Sequence, residues 1–230
     1  MSYRLLIFDW DGTLMDSEAR IVACMEAAIG DLGLPHCGKP AIRNIIGLGL
    51  EEAVRTLYPA AGTTVQRQLV ERYRYHFLVA DSTPSPLFPG VRTMLEDLHG
   101  RGCWLAIATG KGRAGLEKVL EESGLKEWFM ATRCASETAS KPNPQMLLEL
   151  LEELGTEPSQ ALMIGDTEYD MQMAKNAGVP SLAVSYGVHP RERLLQYEPV
   201  ACLDNIDELH RWLTSTVASG KPLGKAMWGN

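Results

Sequence analysis

The sequence predicts an α/β fold: a parallel-sheet core with helices on both faces and an all-helical cap inserted after the first strand. Three observations predict it. Short apolar runs of strand length recur along the chain. Segments with apolar residues at helical spacing alternate with these runs. Directly after the first run, over 17–88, only helical periodicity is found. Alternating strand and helix signals imply a parallel sheet, whose two faces both need covering.

The first strand is Leu5-Leu6-Ile7-Phe8, ended by Asp9-Trp10-Asp11-Gly12. In the insert, Ile21, Val22, Met25, Ala28, Ile29 and Leu32 form one long stripe, with Asp16 or Ser17 at its cap position. Pro84, Pro86, Pro89 and Gly90 punctuate the return to the alternating pattern. Val91, Met94, Leu95 and Leu98 then share a helix face ahead of the run 103–108. Leu116, Val119 and Leu120 precede the run 129–134, and Met146, Leu147, Leu150, Leu151 and Leu154 precede 161–164. Further runs occupy 181–184 and 200–203. The α/β core is therefore assigned to 1–15 and 88–214, the cap to 16–87, and 215–230 to a flexible tail. There is no internal repeat.

Composition narrows the function classes. The chain has 230 residues, 45% of them apolar and 22% charged, which is ordinary for a folded soluble protein. A net charge of −7 argues against nucleic acid as a partner. No apolar run approaches the roughly 18–20 residues that span a bilayer, so no membrane partner is expected. An acid as early as Asp9 argues against a signal peptide. The five cysteines are odd in number and contain no CxxC pair, as expected of a cytoplasmic protein without zinc or disulfides. No feature selects between a monomer and a homodimer.

Several apparent motifs fail. A calcium loop counted from Asp9 would need Gly and Glu where Leu14 and Arg20 stand. Gly110-Lys111 lacks the earlier glycine and the following Ser or Thr of a P-loop. Gly47-Leu48-Gly49 has Glu52 in place of a third dinucleotide-loop glycine. His36, His76, His99, His189 and His210 have no metal-site spacing and receive no role.

Four signals remain, each at or just beyond a strand end: Asp9-Trp10-Asp11-Gly12-Thr13, Thr109, Lys141-Pro142, and Gly165-Asp166-Thr167 with Asp170. Singly each has an ordinary explanation: a turn, a helix cap, a solvated lysine, an exposed helix face. Together they converge, because ligands of a parallel α/β sheet bind outside the carboxyl ends of its strands. Asp9, Asp11, Asp166 and Asp170 would repel one another unless a cation offset them, and an oxygen-only donor set suits Mg2+. Two acids two residues apart allow one to act as nucleophile and the other as general acid and base. Gly12 lets the backbone turn sharply between the two tasks. The Thr109 hydroxyl can donate to a phosphoryl oxygen, and Lys141 can offset its charge.

At Ile7-Phe8-Asp9-Trp10-Asp11-Gly12-Thr13-Leu14 and Ile164-Gly165-Asp166-Thr167-Glu168-Tyr169-Asp170-Met171 the chain resembles the haloacid dehalogenase superfamily of phosphohydrolases, in the branch with a helical cap after the first strand. The resemblance runs from Leu5 to about Leu213 and implies a Rossmann-like core. It also implies that Asp9 is the nucleophile and Asp11 the acid/base. Mg2+ would be held by the Asp9 carboxylate, the Asp11 carbonyl and Asp166, with Asp170 in support. Thr109, Gly110 and Lys141 would bind the phosphoryl group. The presence of Asp11 speaks for phosphate rather than carbon–halogen chemistry. Trp10 and Gly110 depart from the branch, which more often has a smaller aliphatic residue and Asn.

The segment 45–52 looks like the cap segment of phosphoglycolate phosphatases, implying a small phosphorylated metabolite as substrate. Arg43 and Asn44 just before it are expected to meet the substrate's distal group, and hinges are expected near 15–16 and 84–88. A phosphomutase of the β-phosphoglucomutase type uses the same chemistry, though the segment around Gly47 does not resemble its cap. A phospho-acceptor receiver would place its acceptor Asp after a middle strand, and none follows the run ending at Ala108. A non-catalytic binding module would have no use for all four signals.

Overall fold

The computed structural model describes residues 3–217. Strand β1 (Leu5–Phe8) leads into the helical insert: α1 (Glu18–Asp31), α2 (Lys39–Asn44), α3 (Leu50–Leu57) and α4 (Thr63–Tyr75), the last running on into a wider turn over His76–Ala80. Then come α5 (Val91–Gly100), β2 (Trp104–Thr109), α6 (Arg113–Ser123), β3 (Ala131–Cys134), α7 (Gln145–Glu153) and β4 (Ala161–Gly165). The chain closes with α8 (Glu168–Ala177), β5 (Ser181–Val184), α9 (Arg191–Leu194), β6 (Ala201–Leu203) and α10 (Ile206–Thr216). Every strand and major helical stripe expected from the sequence is present.

The six strands lie in the order β3-β2-β1-β4-β5-β6, and every pairing is parallel. Because β1 is central, its side chains are buried on both faces, which is why Leu5-Leu6-Ile7-Phe8 shows no polar alternation. Leu6 and Phe8 face the core that α5, α6 and α10 cover with Met94, Leu95, Leu116, Leu120, Leu209 and Leu213. Leu5 and Ile7 face the opposite core, covered by Met146, Leu147 and Leu150 of α7 and Met173 and Ala174 of α8. The insert has an apolar core of its own, built from Ile21, Met25, Ile29, Ile42, Val54, Leu69 and Phe77, joined by Val188 from the sheet side.

The two crossings between sheet and insert run side by side. The Asp16 N–H donates to the Pro86 carbonyl at 2.8 Å and the Phe88 N–H to the Leu14 carbonyl at 3.0 Å. Met15 and Leu87 form an antiparallel bridge between them. Ser17 does stand at the N-cap position of α1, but its hydroxyl does not cap the helix. At the other end α10 includes Ser215 and Thr216, and Val217 bridges to Tyr3, so the ordered chain passes the expected boundary at 214. The rest of the expected tail, 218–230, lies outside the described residues.

Trp10 is the largest fully buried side chain. Its indole N–H donates to the Met15 sulfur at 3.2 Å, and its ring meets Phe129 edge-on at 6.3 Å. The bulky residue at this position is thus a packing element between the first loop and the β3 side of the core. Trp10→Ala is expected to cost about 3–5 kcal/mol of unfolding free energy, read as a lower urea midpoint at unchanged slope; a loss under about 1 kcal/mol would contradict this packing role.

Candidate active site

The chain runs from β1 outward to β3 on one side and then crosses to β4 on the other, so the topological switch lies between β1 and β4. Loops diverge there at the carboxyl edge and leave a crevice. Phe8 is in register with Ile107 and with Ile164. Asp9 therefore leaves the sheet beside the ends of β2 and β4, and its N–H donates to the Ile164 carbonyl at 2.9 Å.

The four expected signals meet at this edge. Lys141 is completely buried, with Nζ 2.8 Å from Asp9 Oδ1 and 2.6 Å from Asp170 Oδ1. It is not a solvated surface lysine. Asp170 has its other oxygen filled by the Thr167 hydroxyl at 2.6 Å and N–H at 3.1 Å, the capping box that starts α8. Asp166 accepts from the Thr13 hydroxyl at 2.9 Å and the Val188 N–H at 2.8 Å. Gly12 packs against Asp166 at φ +78°; a Cβ there would fall 2.2 Å from Asp166 Oδ2, so both its conformation and its closeness require glycine.

Asp9 is different. It is buried, yet neither of its carboxylate oxygens receives an aligned hydrogen bond, the Lys141 contact being an ion pair only. Burial, together with the charges of Asp170 and Asp11, raises its pKa to about 7 against the opposing pull of Lys141. Asp166 is pushed well above the usual carboxylate range by burial, then by Asp9 and Asp170. Burial by itself would lower the Lys141 pKa, but Asp170 and Asp9 outweigh it and raise it.

Asp9, Asp166 and Asp170 each offer an oxygen within 4.8 Å of one another, all buried. Three carboxylates this close, one of them lacking hydrogen-bond donors, fit a hard divalent cation. The Asp11 side chain is not in this cluster. It points to Ser17, whose hydroxyl donates at 2.5 Å, and to Lys111, whose ammonium lies 3.0 Å away.

A cavity of about 780 Å3 opens over Asp9 and Asp11 and is walled by the insert, including Ile21, Met25, Ile45 and Phe77. Thr109 is fully buried, and its hydroxyl accepts the Lys111 N–H at 3.2 Å. Gly110 lines the cavity beneath the turn at 47–49. A Cβ on Gly110 would lie 2.5 Å from the carbonyl oxygens of both Gly47 and Leu48, so the absence of a side chain lets the insert's backbone rest on this loop.

Two expectations are corrected. Arg43 does not line the cavity: it is half exposed and pairs with Glu18 at 2.8 Å, because α2 turns that face toward α1. Asn44 meets the sheet side rather than the cavity, its carbonyl accepting from the Tyr169 hydroxyl at 2.8 Å and its side-chain oxygen from Arg193 at 2.6 Å. The structure adds contacts that the sequence pattern does not assign: Thr13 to Asp166, Ser17 to Asp11, and Lys111, from the failed P-loop, to Asp11. The place of Lys111 two residues beyond Thr109, in a strand-end loop, is a usable sequence signal.

A parallel sheet with a buried lysine and three clustered carboxylates at its switch point is the setting of an α/β-class active site. The chain belongs to the haloacid dehalogenase-like hydrolase family, whose model matches residues 6–184. It is 37% identical over 210 residues to the "Probable phosphatase IndB" of Dickeya dadantii, covering 89% of this chain and 91% of that protein. It is 30% identical over 231 residues to a phosphoglycolate phosphatase of Rhodospirillum rubrum, covering 96% and 95%. The solved structure of a haloacid dehalogenase-like family hydrolase from Streptococcus pneumoniae superposes with a TM-score of 0.80 at 25% identity, covering 91% of this chain and 98% of that one. The chain is accordingly a phosphoric monoester hydrolase of this family.

Two predictions follow from the geometry. Arg43→Ala is expected to leave KM unchanged in steady-state assays, with a stability change within about 1 kcal/mol, as for other exposed ion pairs. The second concerns Asp9, whose folded-state pKa lies above its value of 3.8 in the unfolded chain. The folded protein thus holds a proton that the unfolded chain has released, so stability without divalent cation falls as pH rises from about 4 through about 7. Melting curves in chelator are expected to show a lower Tm at pH about 8 than at about 5, and Asp9→Asn to flatten that slope.

Proposed function

We propose that this hydrolase cleaves a small phosphorylated metabolite, a phosphoglycolate-like monoester, with Mg2+ and through an aspartyl-phosphate on Asp9. The observation that carries this reading is the Asp9 carboxylate. It is buried at the cavity floor, free of aligned hydrogen-bond donors, and set against the Lys141 ammonium. A carboxylate whose oxygens are not engaged by donors keeps its lone pairs available for attack.

In the proposed sequence an Asp9 oxygen attacks phosphorus, and the bond from phosphorus to the ester oxygen breaks. Asp11 delivers its proton to the departing alcohol oxygen. Asp11 then takes a proton from water, whose oxygen attacks the phosphorus of the aspartyl-phosphate, releasing inorganic phosphate and restoring Asp9. Thr109, the Gly110 backbone and Lys141 hold the phosphoryl oxygens and offset their charge. The Asp9 carboxylate, the Asp11 carbonyl and Asp166 would hold Mg2+, with Asp170 supporting. When bound, that ion supplies charge neutralisation for the dianionic phosphoryl group.

The helical insert acts as a cap. Its turn at 47–49 lies over Gly110, and the Gly49 N–H donates to Ser140 at 2.7 Å on the loop that leads to Lys141. The paired crossings at 15–16 and 86–88 are the proposed hinges, and closure would keep bulk water from the phosphorylated Asp9. The phosphoglycolate-like substrate rests on the named relatives, and the compartment proposed for the enzyme is the cytoplasm.

Phosphate release from a panel of phosphorylated metabolites, 2-phosphoglycolate included, tests the reading. Release is expected with Mg2+, to be lost in chelator, and to fall by at least about a thousandfold in Asp9→Asn. Transfer of the phosphoryl group between positions of a sugar phosphate, without release, would point to a mutase. A stable phosphoprotein that does not turn over would point to a phospho-acceptor.

A further inference from the structure

The cationic side chains around the cavity differ in what holds them. Arg113 is fixed by Glu137 through two bonds of 2.7 Å. Arg55 pairs with Glu52, and Arg74 faces Glu51 at 4.0 Å. Lys141 is enclosed between Asp9 and Asp170. Lys111 stands apart. Its side chain is only 7% exposed, and among the described residues its one carboxylate partner is Asp11, at 3.0 Å. On its other side the ammonium lies 4.3 Å from the centre of the Phe77 ring, which belongs to the cap.

This pairing conflicts with the work proposed for Asp11. Asp11 Oδ1 accepts from Ser17 as well as facing Lys111, and the reaction needs that carboxyl turned toward the ester oxygen. Once Asp11 turns, a nearly buried ammonium against an aromatic face has lost its counter-charge, and such a charge needs another partner. The order of groups over the floor supplies one. On the phosphatase reading the phosphoryl group would sit at Asp9 and the ester oxygen at Asp11, and because the Lys111 ammonium lies 3.0 Å from Asp11, the substrate's next carbons would come within its reach. A compact ammonium on a flexible four-carbon stem can exchange one oxyanion for another at the same place.

We propose that Lys111 is a specificity-determining residue that binds a second anionic group of the substrate, a carboxylate one or two carbons from the phosphate ester. The assignment rests on the phosphatase reading and narrows its substrate class. It also gives the cap a part in selection, because Phe77 shields the Lys111–carboxylate pair from water.

The test compares 2-phosphoglycolate with ethyl phosphate, which has the same ester but no carboxylate. Binding is measured by calorimetry with Mg2+ in the Asp9→Asn chain, carrying Lys111, Lys111→Met or Lys111→Arg. In parallel, kcat/KM is measured for both compounds with Asp9 intact. With Lys111, 2-phosphoglycolate is expected to be favoured at least about tenfold. Lys111→Met is expected to erase that preference and Lys111→Arg to retain most of it. A Lys111→Met chain in which both compounds lose the same factor overturns the proposal, since Lys111 would then serve only to position Asp11. Equal affinity of the Lys111 chain for the two compounds overturns it as well. Hydrolysis of neither compound, with the binding preference intact, would reject the hydrolytic reading and sustain the assignment of Lys111.

Discussion

A fully buried ammonium holds this carboxyl edge together. Lys141 has no access to water, and its charge is tolerable only because Asp9 and Asp170 stand within 2.8 and 2.6 Å. The arrangement links the loop after β1, the loop after β3 and the first turn of α8. Asp170 is itself fixed by Thr167, so the α8 capping box aims the carboxylate that aims the lysine. Removing Lys141 would leave two buried carboxylates without their counter-charge, which costs far more than an exposed ion pair is worth.

Apolar packing places this cluster. Asp9 stands where it does because β1 is central and paired on both sides, with four consecutive buried residues directly before it. Phe8 pairs with Ile164, so Asp9 is level with Gly165 and Asp166 follows one residue later on the neighbouring strand, which brings the two acids together at the switch point. The site thus sits at the edge of the central strands, while the insert reaches it through two adjacent crossings, the packing of Val188 and several polar contacts. One of those contacts is Asn44 with Tyr169 and Arg193, and another is Gly49 with Ser140. Opening of the proposed cap would have to release these hydrogen bonds and the Val188 packing while leaving the sheet intact.

Most of the fold was readable because its signals are local. Buried parallel strands are short and wholly apolar, amphipathic helices show their stripes, and all six strands lie where the runs are. Asp9, Asp11, Thr109, Lys141, Asp166 and Asp170 were readable because strand ends of a parallel sheet converge. What escaped depends on orientation across long sequence separations. Whether α2 turns Arg43 toward the cavity or toward Glu18 is set by the packing of α2 on α1, and the local pattern is the same in either case. Lys111 is an extreme case of the same kind, since its partner, Asp11, is one hundred positions away. Ser17 resembled a helix cap from sequence and occupies that place, yet its hydroxyl is used by Asp11.

The charges at the floor constrain one another. Asp9, Asp11, Asp166 and Asp170 face two ammonium groups, Lys141 and Lys111. Burial and mutual repulsion raise the pKa of Asp9 and Asp166, so without a cation this cluster favours holding protons. A phosphate ester would add further negative charge, and protons would offset it poorly in the proposed mechanism, where Asp9 must be ionised to attack. One divalent cation at the Asp9, Asp166 and Asp170 oxygens would release those protons and restore the nucleophile in a single event. In the proposed mechanism, metal binding and activation of Asp9 would then be the same electrostatic constraint. The Lys111 ammonium stands outside that cluster, where its charge remains available to the part of the substrate that does not react.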